Sequence, residues 1–311
     1  MEASLQEFAQ KNNIVGLGEE ALTAIAKQEK GYTLERAQQF LRFHQRIENE
    51  LLNHPIITHN AYTHWFEQGN ATTEQVKDLI VQFSVFSNLF LHAQLHKVIN
   101  SNSIESMRAS KEILVNELGV IFRPREKKLR NESQAVSNEY DNANDPALLS
   151  PEGTVDGGTF RFSAAHFEWM VRIAESLGLG FNDIGKRKHG CKSTLLFCDE
   201  LVRIYGSEDY ETSQAASYAV ENWAARGFWK QLIRGLQVYK EKHNSQLSIG
   251  FFTYHDRLEA QHADHTQDEL EEYYFEHPTL NEDAFIQNGN QMLKAVGVFW
   301  DGLEVRRKAI D

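Results

Sequence analysis

The chain has 311 residues, 41% of them hydrophobic, enough to bury a sizeable core. Its 44 acidic and 32 basic residues leave a net charge of -12, which excludes a general surface for nucleic acid or anionic membrane. Two cysteines, Cys191 and Cys198, cannot build a disulfide framework, and no zinc-type Cys/His spacing is present. The opening MEASLQEFAQ lacks the apolar core of a secretory signal, and no stretch nears 18 apolar residues, so a cytoplasmic protein is expected. Five thinly spread prolines leave room for long helices and predict an all-α chain.

Residues 1–33 read as a short helix and a loose lead-in. From Leu34 to about Asn53, Phe40, Leu41, Phe43, Ile47, Leu51 and Leu52 form a helical stripe that His54-Pro55 breaks. A short helix then runs through Trp65 and Phe66 to Gly69. NATTEQ supplies Thr72 or Thr73 as the cap of a long helix reaching about Ile99, with His92 and His96 one turn apart. Such a pair can hold an ion, but in this apolar setting packed or exposed histidines are the plainer reading.

The next helix runs from about Ile104 to Glu117 and stops at Gly119. Residues 120–158, from RPREKKLR through NESQAVSNEYDNAND to SPEGTVDGG, have no sustained periodicity and read as an insertion into a helical domain. Helical grammar resumes at Ser163–Leu177, which holds His166 and ends at Gly178. Two more helices follow, Ser193–Ile204 and an aromatic-rich Tyr210–Tyr239. Glu221 lies in the latter among Tyr218, Ala225, Phe228 and Trp229, where a carboxylate is costly to bury unless paired or bound to a cation.

Leu247–Tyr274 reads as one continuous helix that sets His255, Glu259 and His262 at i, i+4 and i+7, all on one face. A last helix spans about Glu282–Val305. The count is about nine helices with no persuasive strand, arranged as one domain over residues 34–311 behind the 1–33 lead-in.

Glu117, His166 and Glu221 from three other helices would join His255, Glu259 and His262 in a set of three imidazoles and three carboxylates. That mixture suits iron or manganese better than a structural zinc, and its carboxylates could bridge two irons in a helical bundle. Spacing alone does not make the six converge. Taken singly, Glu117 reads equally as a solvated acid, His166 as a satisfied core histidine and the HADH stretch as a polar face.

The order NELG, AAHFEWMVRIAESLGL, SYAVENWAARGFWKQLIRGL and FFTYHDRLEAQHADHTQDEL resembles the haem-oxygenase-like di-iron oxidases and oxygenases, the CADD-like branch of the TenA-like superfamily. The resemblance covers about residues 36–275. It implies a haem-oxygenase-like helical bundle with one iron on Glu117, His166 and His255 and a second on Glu221, Glu259 and His262. Glu259 stands where the family commonly has Asp. The 120–158 insertion separates Glu117 from His166, which makes Glu152 and Asp156 substitutes for Glu117.

The implied chemistry uses two Fe2+ ions, with Mn as an alternative, and O2 as co-substrate. It oxidises a small organic molecule, amino-acid-like or fatty-acid-like, by N-oxygenation, oxidative C–C cleavage or desaturation. Phe167, Trp169, Tyr218, Trp223, Phe252 and Tyr254 would line the pocket, though core packing is their default role. Arg226 would meet a substrate carboxylate or form a surface ion pair, and His265 would lie behind the ligands or in solvent. A homodimer is compatible with this reading.

Two alternatives stay open. One is a cofactorless TenA-like enzyme, although neither Cys191 nor Cys198 sits in a recognisable nucleophile motif. The other is a non-enzymatic protein on the same fold, with the insertion as a binding arm.

Overall fold

The computed structural model describes residues 2–122, 152–155, 158–162, 165–244 and 246–310, and the side chains of residues 2–4, 105, 116, 120–122, 152–155, 158–162 and 258–265 lie outside that description. Among the described residues the chain forms thirteen α-helices and one three-stranded sheet. The lead-in holds two short helices, α1 (Glu2–Asn12) and α2 (Glu19–Ala26), where one was expected. α3 (Leu34–Arg46), capped by the Thr33 hydroxyl, runs into a π-helical turn at Ile47–Leu51. α4 (Pro55–Thr58) and α5 (Ala61–Phe66) follow, the latter capped by Asn60.

α6 (Thr73–Ile99) starts at a capping box: Thr72 Oγ1 accepts from the Gln75 N–H, and Gln75 Oε1 accepts from the Thr72 N–H. α7 (Ile104–Glu117) ends where Gly119 takes φ +69°, a conformation that side chains disfavour. α8 (His166–Ser176) ends in the same way at Gly178, with the Leu179 N–H closing back onto the Ala174 carbonyl.

α9 (Lys192–Glu200) continues into a second π-helical turn, Leu201–Tyr205. The helix expected over Tyr210–Tyr239 is two helices, α10 (Tyr210–Ala225) and α11 (Phe228–His243). Gly227, at φ +95°, turns the chain between them, which an apolar period count does not register. α12 (Gly250–Glu276) and α13 (Glu282–Arg307) are the long closing pair.

The expectation of no strand is corrected by β1 (Val120–Phe122), β2 (Glu152–Val155) and β3 (Gly158–Phe162). They form an antiparallel sheet in the order β1-β3-β2, with Val120 opposite Phe162 and Glu152 opposite Arg161. Three-to-five-residue strands are too short to register as alternation in a polar sequence, which is why the segment read as structureless.

α10 is the central element, buried along nearly its whole length, and it packs against α12 and α13. Small residues make this possible: Ala215, Ala216 and Ala219 are fully buried, and a Cβ on Gly289 of α13 would stand 2.9 Å from Leu51 and 3.4 Å from the Ala215 carbonyl. Around this axis Phe83, Phe86, Phe197, Phe299 and Trp300 interlock at ring separations of 4.9–6.3 Å. Each such ring contributes on the order of 2–3 kcal/mol by leaving water. Among the described residues no helix is long and apolar enough to cross a membrane.

Candidate metal centre

The sheet settles how the chain returns to its helical body. β1 begins three residues after Glu117, β3 ends four residues before His166, and the two strands pair antiparallel. The excursion therefore leaves and re-enters the bundle at one place, and the end of α7 meets the start of α8. There His166 Nδ1 lies 2.7 Å from Glu117 Oε2. Glu117 itself takes the position for which Glu152 and Asp156 were weighed as substitutes. Glu152 is on β2, the strand of the sheet not paired with β1, and Asp156 lies outside the described residues.

α8 starts where it does because the Glu168 carboxylate accepts from the Ala165 N–H, which leaves His166 as the first helical residue. His255 enters from α12, with its ring 4.5 Å from that of His166 at 70°. Glu117, His166 and His255 each offer a ligand atom, and these atoms lie within 4.8 Å of one another. The group is close enough to hold one metal ion.

Its surroundings suit that use. His166 and His255 are buried. His255 Nδ1 lies 2.7 Å from the Phe251 carbonyl, which fixes that nitrogen as the N–H and leaves Nε2 as the electron-pair donor. His166 Nε2 is buried without a hydrogen-bond partner, as expected of a nitrogen meant for something other than protein. Burial would push the Glu117 carboxyl up, but the charge and hydrogen bond of His166, with His255 behind it, outweigh burial and hold it below the usual range. Trp229 stacks on His255 at 4.9 Å, and Trp169 meets Tyr254 edge-on at 4.6 Å beside His166, so aromatic rings flank both imidazoles.

Glu221 is buried on α10, close enough that its charge acts on Glu117. Glu259 and His262 are one and two turns beyond His255 on α12; their side chains, and that of His265, lie outside the described residues. His92 and His96 are exposed, in keeping with the plainer reading of that pair.

The six aromatic residues named as pocket candidates divide. Trp169 and Tyr254 flank His166. Phe252 packs in the core against Phe83 and Trp229, Phe167 packs on Phe181, and the Tyr218 hydroxyl donates to Gln267. Trp223 stacks on Phe228 at 4.5 Å and lines a separate cleft of about 320 Å³ beside α4 and α5. Arg226 lines the same cleft and pairs with Glu48 at 3.0 Å, both half-exposed, so the surface ion pair is its role here.

Sequence reasoning missed the polar residues behind Glu221. Gln94 and Lys97 of α6, Tyr205 of the second π-helical turn and Ser217 of α10 are all buried, and Lys97 Nζ donates to Ser217 Oγ at 2.6 Å. A lysine three residues after a glutamine is the only signal the sequence offers there, and it does not stand out from the exposed polar residues of the same helix. Comparison of the sequence with protein-family models and with curated proteins gives no match.

Proposed function

We propose that the protein is a non-haem iron oxidase or oxygenase of the haem-oxygenase-like, di-iron type, acting on a small organic molecule with O2. The observation that carries this reading is the Glu117–His166–His255 group, its two imidazoles buried and its carboxylate half-buried, half of the six-ligand set that the resemblance implies. Two imidazoles and one carboxylate are a donor set suited to Fe(II), with Mn(II) the nearest substitute. Glu221, with Glu259 and His262, is the proposed second half.

Iron bound there would supply the electrons and coordination sites for O2 chemistry. The chain's own residues do the rest. Glu117, kept ionised, balances cation charge; the Phe251 carbonyl holds His255 in one tautomer; and the Trp229, Trp169 and Tyr254 rings shield the two imidazoles.

The cysteine-dependent alternative has less in its favour. Burial pushes the Cys198 thiol up to about 12, which leaves it inert. Burial would push the half-buried Cys191 thiol up, but the Ser193 and Thr194 hydroxyls at the start of α9 outweigh it and hold the thiol below its usual range, so this alternative rests on Cys191 alone.

The test is anaerobic loading with Fe(II) followed by exposure to O2. Wild-type protein should take up iron and then consume O2, while Glu117→Ala and His255→Ala should lose most of both. A protein that takes up no iron, or variants that match wild type, would show that Glu117 and His166 form only a buried ion pair.

A further inference from the structure

Behind Glu221 lies a polar cluster that the metal reading does not use. Gln94 and Lys97, at i and i+3, share one face of α6; Tyr205 ends the π-helical turn Leu201–Tyr205; Ser217 is one turn before Glu221 on α10. Exposure is 0% for Gln94, Tyr205 and Ser217 and 4% for Lys97. The Lys97 ammonium donates to Ser217 Oγ at 2.6 Å and lies 5.2 Å from the centre of the Tyr205 ring. Among the described residues no carboxylate forms an ion pair with it.

Both polar atoms of the Gln94 amide are buried without a partner, and so is the Tyr205 hydroxyl. That hydroxyl lies against Gln94 and Ser217, yet neither contact has the geometry of a formed hydrogen bond. Leaving an amide and a phenol unpartnered, beside an ammonium with one hydroxyl for its three donors, is costly, and a further group that accepts from them offsets the cost.

We propose that Gln94, Lys97, Tyr205 and Ser217 form a buried receptor for a carboxylate group, which anchors a small acid beside Glu221. The donor inventory fits: an ammonium, an amide NH2 and two hydroxyls can serve two acceptor oxygens. One positive charge matches a monoanion, and the nearby Glu221 carboxylate disfavours a dianion such as phosphate. Four residues of α10 separate Ser217 from Glu221, an axial rise of about 6 Å. The anchored carboxylate would thus sit within about one helical turn of Glu221. That the acid is also the molecule oxidised rests on the function proposed above; the receptor does not.

The experiment uses the smallest carboxylates, on the metal-free full chain. Sodium formate and acetate should raise the melting temperature saturably, beyond sodium chloride of equal ionic strength, with the neutral isostere acetamide at least about tenfold weaker by calorimetry. Lys97→Met should abolish the acetate response. Gln94→Glu, which supplies a carboxylate from within, should raise the melting temperature and also abolish it. Acetate acting no better than chloride, or a Gln94→Glu protein still responding like wild type, overturns the receptor even if Lys97→Met does not fold. Iron uptake by wild-type protein, measured alongside, separates the two ideas. Iron without an acetate response sinks the receptor alone, whereas an acetate response without iron sinks the metal reading and leaves the receptor.

Discussion

A few side chains in the interior carry charge, and each is held by a different device. Glu117 stays ionised because two imidazoles outweigh its burial. Glu271 on α12 is the contrary case: it caps the start of α2 by accepting from the Gly18 N–H at 2.9 Å, but burial, with Asp268 nearby, pushes its carboxyl up to about 7. An acid with a raised folded-state value binds its proton more tightly folded than unfolded. Its contribution is therefore fully present below the unfolded value, near 4.5, and is lost as pH rises through about 7. Glu271→Gln keeps an acceptor for Gly18 without the charge. Urea melts at pH 5 and pH 8 should show wild type losing on the order of 2 kcal/mol relative to this variant at the higher pH. Equal pH dependence of the two proteins would contradict the assignment.

Legibility in sequence follows the same residue-by-residue logic. Glu117, His166, Glu221 and His255 could be named because histidines and acids at helical spacing stand out against apolar neighbours, and the structure brings Glu117, His166 and His255 together. Gln94 and Lys97 could not, because α6 is apolar on most faces and its polar residues carry no period that separates inside from outside. Arg226 reads from sequence as either a carboxylate contact or a surface ion pair, and its pairing with Glu48 makes it the latter, because charge near Glu221 in sequence is not charge near it in space.

At the level of elements, caps and stops were the readable features. Thr72, Gly119 and Gly178 fall where turn chemistry puts them. What could not be read was contact between distant segments: the β1–β3 pairing that reunites Glu117 with His166, and the Gly227 turn that splits α10 from α11. Helix packing depends on glycine in two distinct ways, which mutation can separate. A Cβ at Gly235 of α11 would stand 2.3 Å from the Phe66 carbonyl, whereas one at Gly227 meets nothing within 4 Å and suffers only the φ of +95°. Gly227→Ala should cost about 1 kcal/mol in chemical denaturation, from backbone strain alone. Gly235→Ala should cost about 2–3 kcal/mol, because α11 must move off α5. A reversed order would mean that the α5–α11 approach is looser than described.

For the whole molecule, the all-helical body follows from a sequence with few breakers and pervasive helical stripes. Its buried polar residues follow a second pattern: acids and histidines gather where α7, α8, α10 and α12 meet, and a lysine, a glutamine and hydroxyls gather next to them on α6 and α10. A core of aromatic rings would be more stable without either group, and the proposed metal and carboxylate would offset that cost.

The most direct measurement is a crystal structure of the Fe(II)-loaded protein with anomalous scattering recorded on both sides of the iron edge. The account predicts an iron peak within bonding distance of Glu117, His166 and His255, at the expense of the 2.7 Å contact between His166 Nδ1 and Glu117 Oε2 or with His166 Nε2 as the ligand. Iron bound elsewhere, or no iron and that contact unchanged, would contradict it.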